Sequence, residues 1–138
     1  LGERQTMTVM FGRQTDVGTN KASYLNNTTD SYFAVPENTI LFFHAYVVAV
    51  RVGGGAGGGN VGDYASWVER GVVINKSGVL SVSRERDAIK SSGTVSGWQP
   101  TGAILGTDFY IKVRGAASMT IEWASTVTFT QIKTGVAL

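Results

Sequence analysis

The closing stretch of the chain alternates with a period of two. Met119, Ile121, Trp123, Ser125, Val127, Phe129 and Gln131 fall on one side, and Thr120, Glu122, Ala124, Thr126, Thr128, Thr130 and Ile132 on the other. Large apolar residues against Thr and Glu form the pattern of a strand with one buried face. The same alternation, Gln5, Met7, Val9 and Phe11 against Thr6, Thr8 and Met10, predicts a first strand over residues 5–11. Residues 39–52 are β-branched and aromatic throughout and apolar on both sides, which predicts a long central strand covered on both faces. Residues 64–74 are its expected partner, and Asn75-Lys76-Ser77-Gly78 reads as a tight turn into a further strand at 79–83. A short strand is expected at 31–35, stopped by Pro36 before a turn at Glu37-Asn38. Phe109, Ile111 and Val113 against Tyr110 and Lys112 predict a strand over 107–114, paired through 115–118 with the closing one.

Elsewhere the pattern is weaker. Residues 12–30 read as loop with one short strand at 22–25, and residues 94–105 as an irregular stretch around Trp98 and Pro100. No segment sustains a helical period, because Gly, Thr, Ser and Val crowd every window. Residues 84–90 are the one place where a helical turn fits. Seven to nine short strands separated by turns predict an all-β chain, an antiparallel β-sandwich of jelly-roll-like form, as a single domain over 1–138.

Composition narrows the function classes. A chain of 138 residues buries roughly two-thirds of its unfolded surface. It has no cysteine, so neither a disulfide framework nor a thiolate metal site is possible. A net charge of +2, with Lys and Arg scattered singly, gives no nucleic-acid surface. The longest apolar run, residues 40–50, is interrupted by His44 and falls short of the roughly 20 residues of a membrane helix, so no membrane insertion is expected. The chain starts at Leu1 without a basic-then-apolar leader, which reads as a segment of something longer or an artificial boundary.

Candidate chemistry is sparse. The glycine tract at 53–62 lacks the Lys-Ser/Thr ending of a phosphate loop, and no βαβ unit surrounds it. It reads as a mobile hairpin tip or a close-packed turn. His44, the single histidine, sits in the most apolar strand and reads as structural, with no serine elbow to partner it. The carboxylates Asp63, Glu69, Glu85, Asp87, Asp108 and Glu122 show no acid and base spacing. Glu85 and Asp87 flank Arg86 as a solvated turn would, and Glu122 faces solvent or a neighbouring subunit. No enzyme, cofactor or metal is expected. Trp67 and Trp123 read as core residues, whereas Trp98, in a Ser/Gly/Pro loop, is the better candidate for an exposed ring. Asn26, Asn27 and Asn75 match the N-glycosylation pattern.

Three segments in order carry a family resemblance. The first holds Gln5-Thr6, then Gln14-Thr15-Asp16, then Val35-Pro-Glu-Asn-Thr-Ile-Leu-Phe-Phe43. The second is Tyr64-Ala-Ser-Trp-Val-Glu-Arg-Gly-Val-Val73, and the third Val113-Arg-Gly-Ala-Ala-Ser-Met-Thr-Ile-Glu-Trp-Ala-Ser-Thr-Val127. Together they resemble the C-terminal module of phage tail fibre and tail-spike-like virion proteins, over nearly the whole chain. The glycine tract departs from the shorter, more polar loop expected there. The resemblance implies a virion structural protein at the phage tail, a homotrimeric tip in contact with other virion proteins, and attachment to a bacterial surface polysaccharide or outer-membrane protein. It transfers no catalytic residue, since Gly115, Ile121, Trp123 and Val127 look architectural. The surface expected to meet a receptor comprises Gly57, Asn60, Asp63, Tyr64 and Trp98. A capsid decoration protein is the alternative, and a polysaccharide depolymerase fragment the enzymatic one.

Overall fold

A computed structural model describes residues 3–55 and 58–138. These residues form antiparallel strands and no helix: β1 (Glu3–Thr15), β2 (Asn20–Ala22), β3 (Tyr24–Leu25), β4 (Phe33–Ala34), β5 (Thr39–Gly53), β6 (Tyr64–Lys76), β7 (Val79–Ser91), β8 (Gln99–Leu105), β9 (Asp108–Arg114) and β10 (Thr120–Lys133). One sheet has six strands in the order β3-β1-β10-β5-β6-β7. In the other, β9 is central, with β8 on one side and β2 and β4 end to end on the other. The strand number exceeds the seven to nine expected because β2, β3 and β4, two or three residues each, pair at sheet edges where the loop-like composition gave no periodicity to read.

The two sheets close as a β-sandwich over an aromatic core. Phe109 on β9 packs against Phe43 at 4.6 Å, Phe129 at 5.5 Å and Phe11 at 6.3 Å between ring centroids, reaching three strands of the large sheet. Phe33 stacks on Phe129 at 4.3 Å. Trp67 and Trp123 are core residues as expected and stack at 5.5 Å; the Trp123 indole N–H donates to Thr15 Oγ1 at 2.9 Å, so its polar atom is satisfied inside. Burying aromatic rings of this size is worth about 2–3 kcal/mol each, which makes this cluster the main source of stability.

Four expectations are corrected. Strand β5 is covered on one face only: Leu41, Phe43, Ala45 and Val47 point in, while Phe42, Tyr46, Val48 and Val50 are exposed. Its composition suits burial on both sides, but the small sheet covers one. Residues 84–90 are not a helical turn but part of β7, because their alternating charges serve two faces. Arg84 and Arg86 turn inward to Glu69 and the β8 backbone, while Glu85 and Asp87 turn outward to Arg70. Residues 99–105 form strand β8, in which Pro100 is tolerated because β8 pairs with β9 alone and is an edge. Finally, β9 does not pair with β10. Residues 115–118 carry the chain from one sheet to the other, through a buried Gly115 whose added Cβ would lie 2.7 Å from Thr15 Oγ1 and 2.9 Å from Ile121 Cδ1.

The β5–β6 pairing and the turn after β6 are as the sequence predicts. Ser77 and Gly78 both have positive φ, 53° and 93°, joining the paired Lys76 and Val79 as a two-residue turn of the type that matches strand twist. Asn75 fixes this corner. Its Nδ2 donates to Val35 O and its Oδ1 accepts from Gly78 N, both at 2.8 Å, so this glycosylation match is buried and engaged.

Candidate functional site

The alternation that buries one side of each long strand sends the other side to the open face of the six-stranded sheet. Strand register sets the rows across that face. Met10, Thr126, Tyr46 and Val68 lie side by side, as do Thr8, Thr128, His44 and Arg70, and Gly12, Ala124, Val48 and Ser66. The middle of the face, along β5, is apolar: Phe42 is 45% exposed, Tyr46 56% and Val48 55%. Thr-rich β1 and β10 flank it on one side, and β7, with Arg70 bridging to Glu85 at 2.9 Å and Asp87 at 2.7 Å, closes the other. Those bonds, Asp87 foremost, raise the Arg70 pKa further. His44 lies on this face, half-buried and stacked on Tyr46 at 4.9 Å, rather than inside the core.

At the loop end of the face, Val48, Val50, Tyr64, Ser66, Lys90, Glu122 and Ala124 line a depression of about 500 Å³. Glu122 is exposed and accepts from Gln14 Nε2 at 2.6 Å. A second depression, of about 390 Å³, shares Glu122 and Ala124 and continues past Met10 to Asn26 and Asn27.

Beside this end, the described residues of the glycine tract gather around a buried cation. Arg51, 4% exposed, donates to the carbonyls of Gly53 at 3.0 Å and Gly54 at 2.9 Å and also to that of Gly58. Two glycines of the tract combine a positive φ with no room for a side chain. Gly54 has φ 91°, and a Cβ there would lie 2.1 Å from Ser118 O; Gly59 has φ 69°, and a Cβ would lie 2.5 Å from Asp63 Oδ2. No sequence signal separated this arrangement from a free tip. The partner of the tract is an arginine that reads, in sequence, as one more residue of a strand.

Of the residues expected to meet a receptor, Asn60, Asp63 and Tyr64 come together. Asp63 Oδ2 accepts the Asn60 N–H at 2.8 Å, Ser92 Oγ lies 3.2 Å from Asp63 Oδ1, and the Tyr64 N–H donates to Ser92 Oγ at 2.9 Å. Gly57 lies outside the described residues. Trp98 is corrected: it is 5% exposed, packed 6.4 Å from Trp123, so its ring belongs to the core and leaves the candidate surface. The small residues around it in sequence form the turn that folds it inward.

Beneath the face, Glu69 is fully buried on β6. It pairs with Arg84 through both carboxylate oxygens and accepts the Gly102 N–H at 2.6 Å. The Arg84 pKa is raised, chiefly by these hydrogen bonds, and that of Arg86 is lowered, chiefly by burial. The cluster is saturated with partners and serves to join the sheets. Among the described residues, no group of three or more His, Asp or Glu converges as a metal site, and no helix is long and apolar enough to cross a membrane.

No family model matches this chain, and no curated protein matches it. Among solved structures it is similar to the tailspike protein of Acinetobacter baumannii phage AM24, with 12% identity and a TM-score of 0.47, covering 91% of this chain and 26% of that one. It is also similar to the tailspike protein of Acinetobacter phage vB_ApiP_P1, with 18% identity and a TM-score of 0.41, covering 94% of this chain and 22% of that one. The chain thus spans about a quarter of the length of the tailspikes it resembles, and its structural neighbours are phage tailspike proteins.

Proposed function

We propose that this chain is a non-catalytic terminal module of a phage tail fibre or tailspike, which assembles as a homotrimer and presents its loop end to the bacterial surface. The observation that carries the reading is the open face of the six-stranded sheet. Half-exposed side chains such as Phe42, Tyr46 and Val48 each leave on the order of 100 Å² uncovered. With Val50, Met10, Ile132 and Tyr64 alongside them, the apolar surface exceeds the roughly 300–600 Å² typical of a monomer's largest patch. It approaches the roughly 800 Å² per partner of a stable interface. Burying it against copies of itself removes that area from water, and the charges at its margins already have partners, Glu122 in Gln14 and Arg70 in Glu85 and Asp87. The three-segment sequence resemblance supplies the virion context and the expectation of three copies. In this reading the glycine tract, anchored on Arg51, forms with Asn60 and Asp63 a loop end suited to contact with a saccharide or outer-membrane protein, exposed to the medium at the tail.

Light scattering coupled to size-exclusion chromatography tests the assembly. The expected mass is about three times the 14.7 kDa of the chain. A stable monomer at micromolar concentration sinks the reading. Antibody labelling of intact virions tests the location: label on the tail supports it, whereas label over the head lattice points to capsid decoration instead. Shortened chains after incubation with host polysaccharide would overturn the non-catalytic assignment.

A further inference from the structure

Far from the apolar face, the small sheet carries a second surface of different chemistry. On the outer side of β9, Tyr110, Lys112 and Arg114 follow one another at two-residue spacing, opposite the inward Phe109, Ile111 and Val113. The chain along this edge pairs Asn20 with Arg114 and Ala22 with Lys112, and the Ser23 N–H donates to Ile111 O at 2.8 Å. Tyr24 is thereby delivered beside Tyr110. Tyr32, arriving just before β4, fills the space between them: its ring centroid lies 6.2 Å from that of Tyr24 and 5.4 Å from that of Tyr110, with interplanar angles of 47° and 51°. All three rings are half-buried, which leaves part of each in solvent.

We infer that these three tyrosines, with Lys112 and Arg114, form a binding site for an anionic saccharide. A pyranose ring has an apolar C–H face and a rim of hydroxyls, and partly exposed tyrosines offer the matching pair, a flat apolar ring with a polar edge. Among the described residues the hydroxyls of Tyr32 and Tyr110 have no protein hydrogen-bond partner, so both are free to donate to and accept from a sugar. Tyr24 is held in place. Arg13 donates to its hydroxyl and to Ala22 O, with the guanidinium carbon 4.7 Å from the ring centroid. The sign of the ligand follows from the charges. Lys112 makes no ion pair among the described residues and Arg114 is engaged only with Gly97 O at 3.3 Å; with Arg13 over Tyr24 these cations outnumber the two carboxylates nearby, Asp30 beside Tyr32 and Asp108 on the same row of β9 as Tyr110. This rests on the reading that the chain meets a bacterial saccharide; its residues, on β9, on the β3 edge and just before β4, are not those of the open apolar face, so assembly and binding can fail separately.

The test is an NMR titration of the whole chain with galacturonate oligomers, a sialyl oligosaccharide, maltohexaose and a poly-glutamate peptide, with the oligomeric state recorded in parallel. The expected result is saturable shifts at residues around Tyr24, Tyr32 and Tyr110 with at least one acidic saccharide, weakening as salt rises. Replacing both Tyr32 and Tyr110 by Ala should raise the dissociation constant about tenfold or more. Lys112→Gln should weaken the acidic saccharides while leaving any maltohexaose response unchanged. Both variants carry surface changes, and unaltered circular dichroism checks their fold. The inference is overturned if no saccharide shifts these residues, if maltohexaose binds as well as the acidic probes, if the peptide alone binds, or if the tyrosine variant binds unchanged.

Discussion

The carboxylate of Glu69 accepts the backbone N–H of Gly102 at 2.6 Å, so one side chain of the large sheet holds an edge strand of the small one. The same carboxylate is the partner of Arg84. Removing it leaves the buried Gly102 N–H without its acceptor and the partly exposed Arg84 without its partner. Glu69→Ala is therefore expected to cost about 1–3 kcal/mol, with Glu69→Gln less damaging because an acceptor remains. Denaturant midpoints measure both; a loss below about 1 kcal/mol for Glu69→Ala would show that the joint is dispensable.

Gly102 also has no room for a side chain. A Cβ there would meet Phe43 Cζ at 2.5 Å and Cε2 at 2.8 Å. Gly102→Ala should displace the Phe43 ring and destabilise by about 1–3 kcal/mol. Ring-proton chemical shifts of Phe43 report the displacement, and a variant as stable as the parent would mean that the sheets separate there at no cost.

Neighbours Val47 and Val48 point to opposite sides of β5, one fully buried and one open. Val48→Asp should reduce self-association while the fold and its thermal midpoint persist. Val47→Asp should abolish folding, because a carboxylate in the core has no partner. Light scattering and circular dichroism on the pair separate assembly from folding, and persistence of the oligomer in Val48→Asp would move the interface elsewhere.

Arg51 organises the glycine turn through three carbonyls. Arg51→Ala should cost about 1.5–3 kcal/mol and expose the turn to limited proteolysis. Arg51→Lys should recover little, since a point charge cannot span the carbonyls that the planar guanidinium reaches. Cleavage at the parental rate in Arg51→Ala would show that the turn holds its own shape.

Period-two patterning made the long strands legible, because each buries one face and the residue types follow. The β6–β7 turn was equally plain, since Asn75 and Gly78 are the residues such a corner demands. What composition concealed was the second partner of each residue. The outer side of β5 is as apolar as a buried face, so nothing in its residues distinguishes a second covering sheet from an interface. Glu85 and Asp87, read as solvated charge flanking Arg86, are exposed, but their partner Arg70 and the β8 backbone that holds Arg86 are brought there only by folding. Trp98 read as exposed for the same reason, its burial against Trp123 being a contact between distant segments. Of the residues named from the sequence for a receptor, Asn60, Asp63 and Tyr64 do lie together, linked through Asp63 and Ser92, as their closeness in the chain suggests.

The alternating charges of β7 have a consequence for how the sheet finds its alignment. Glu69 stands opposite Arg86, and Arg70 opposite Glu85. Sliding β7 by one residue in either direction would set Glu85 or Asp87 across from the buried Glu69 and turn the arginines outward. Each misalignment would bring a carboxylate against the buried Glu69, on top of turning Leu80 and Val82 away from the core. The charges thus act as a vernier at the far end of the hairpin, repeating by charge the count that the Ser77-Gly78 turn and the inward Leu80 and Val82 set at the near end.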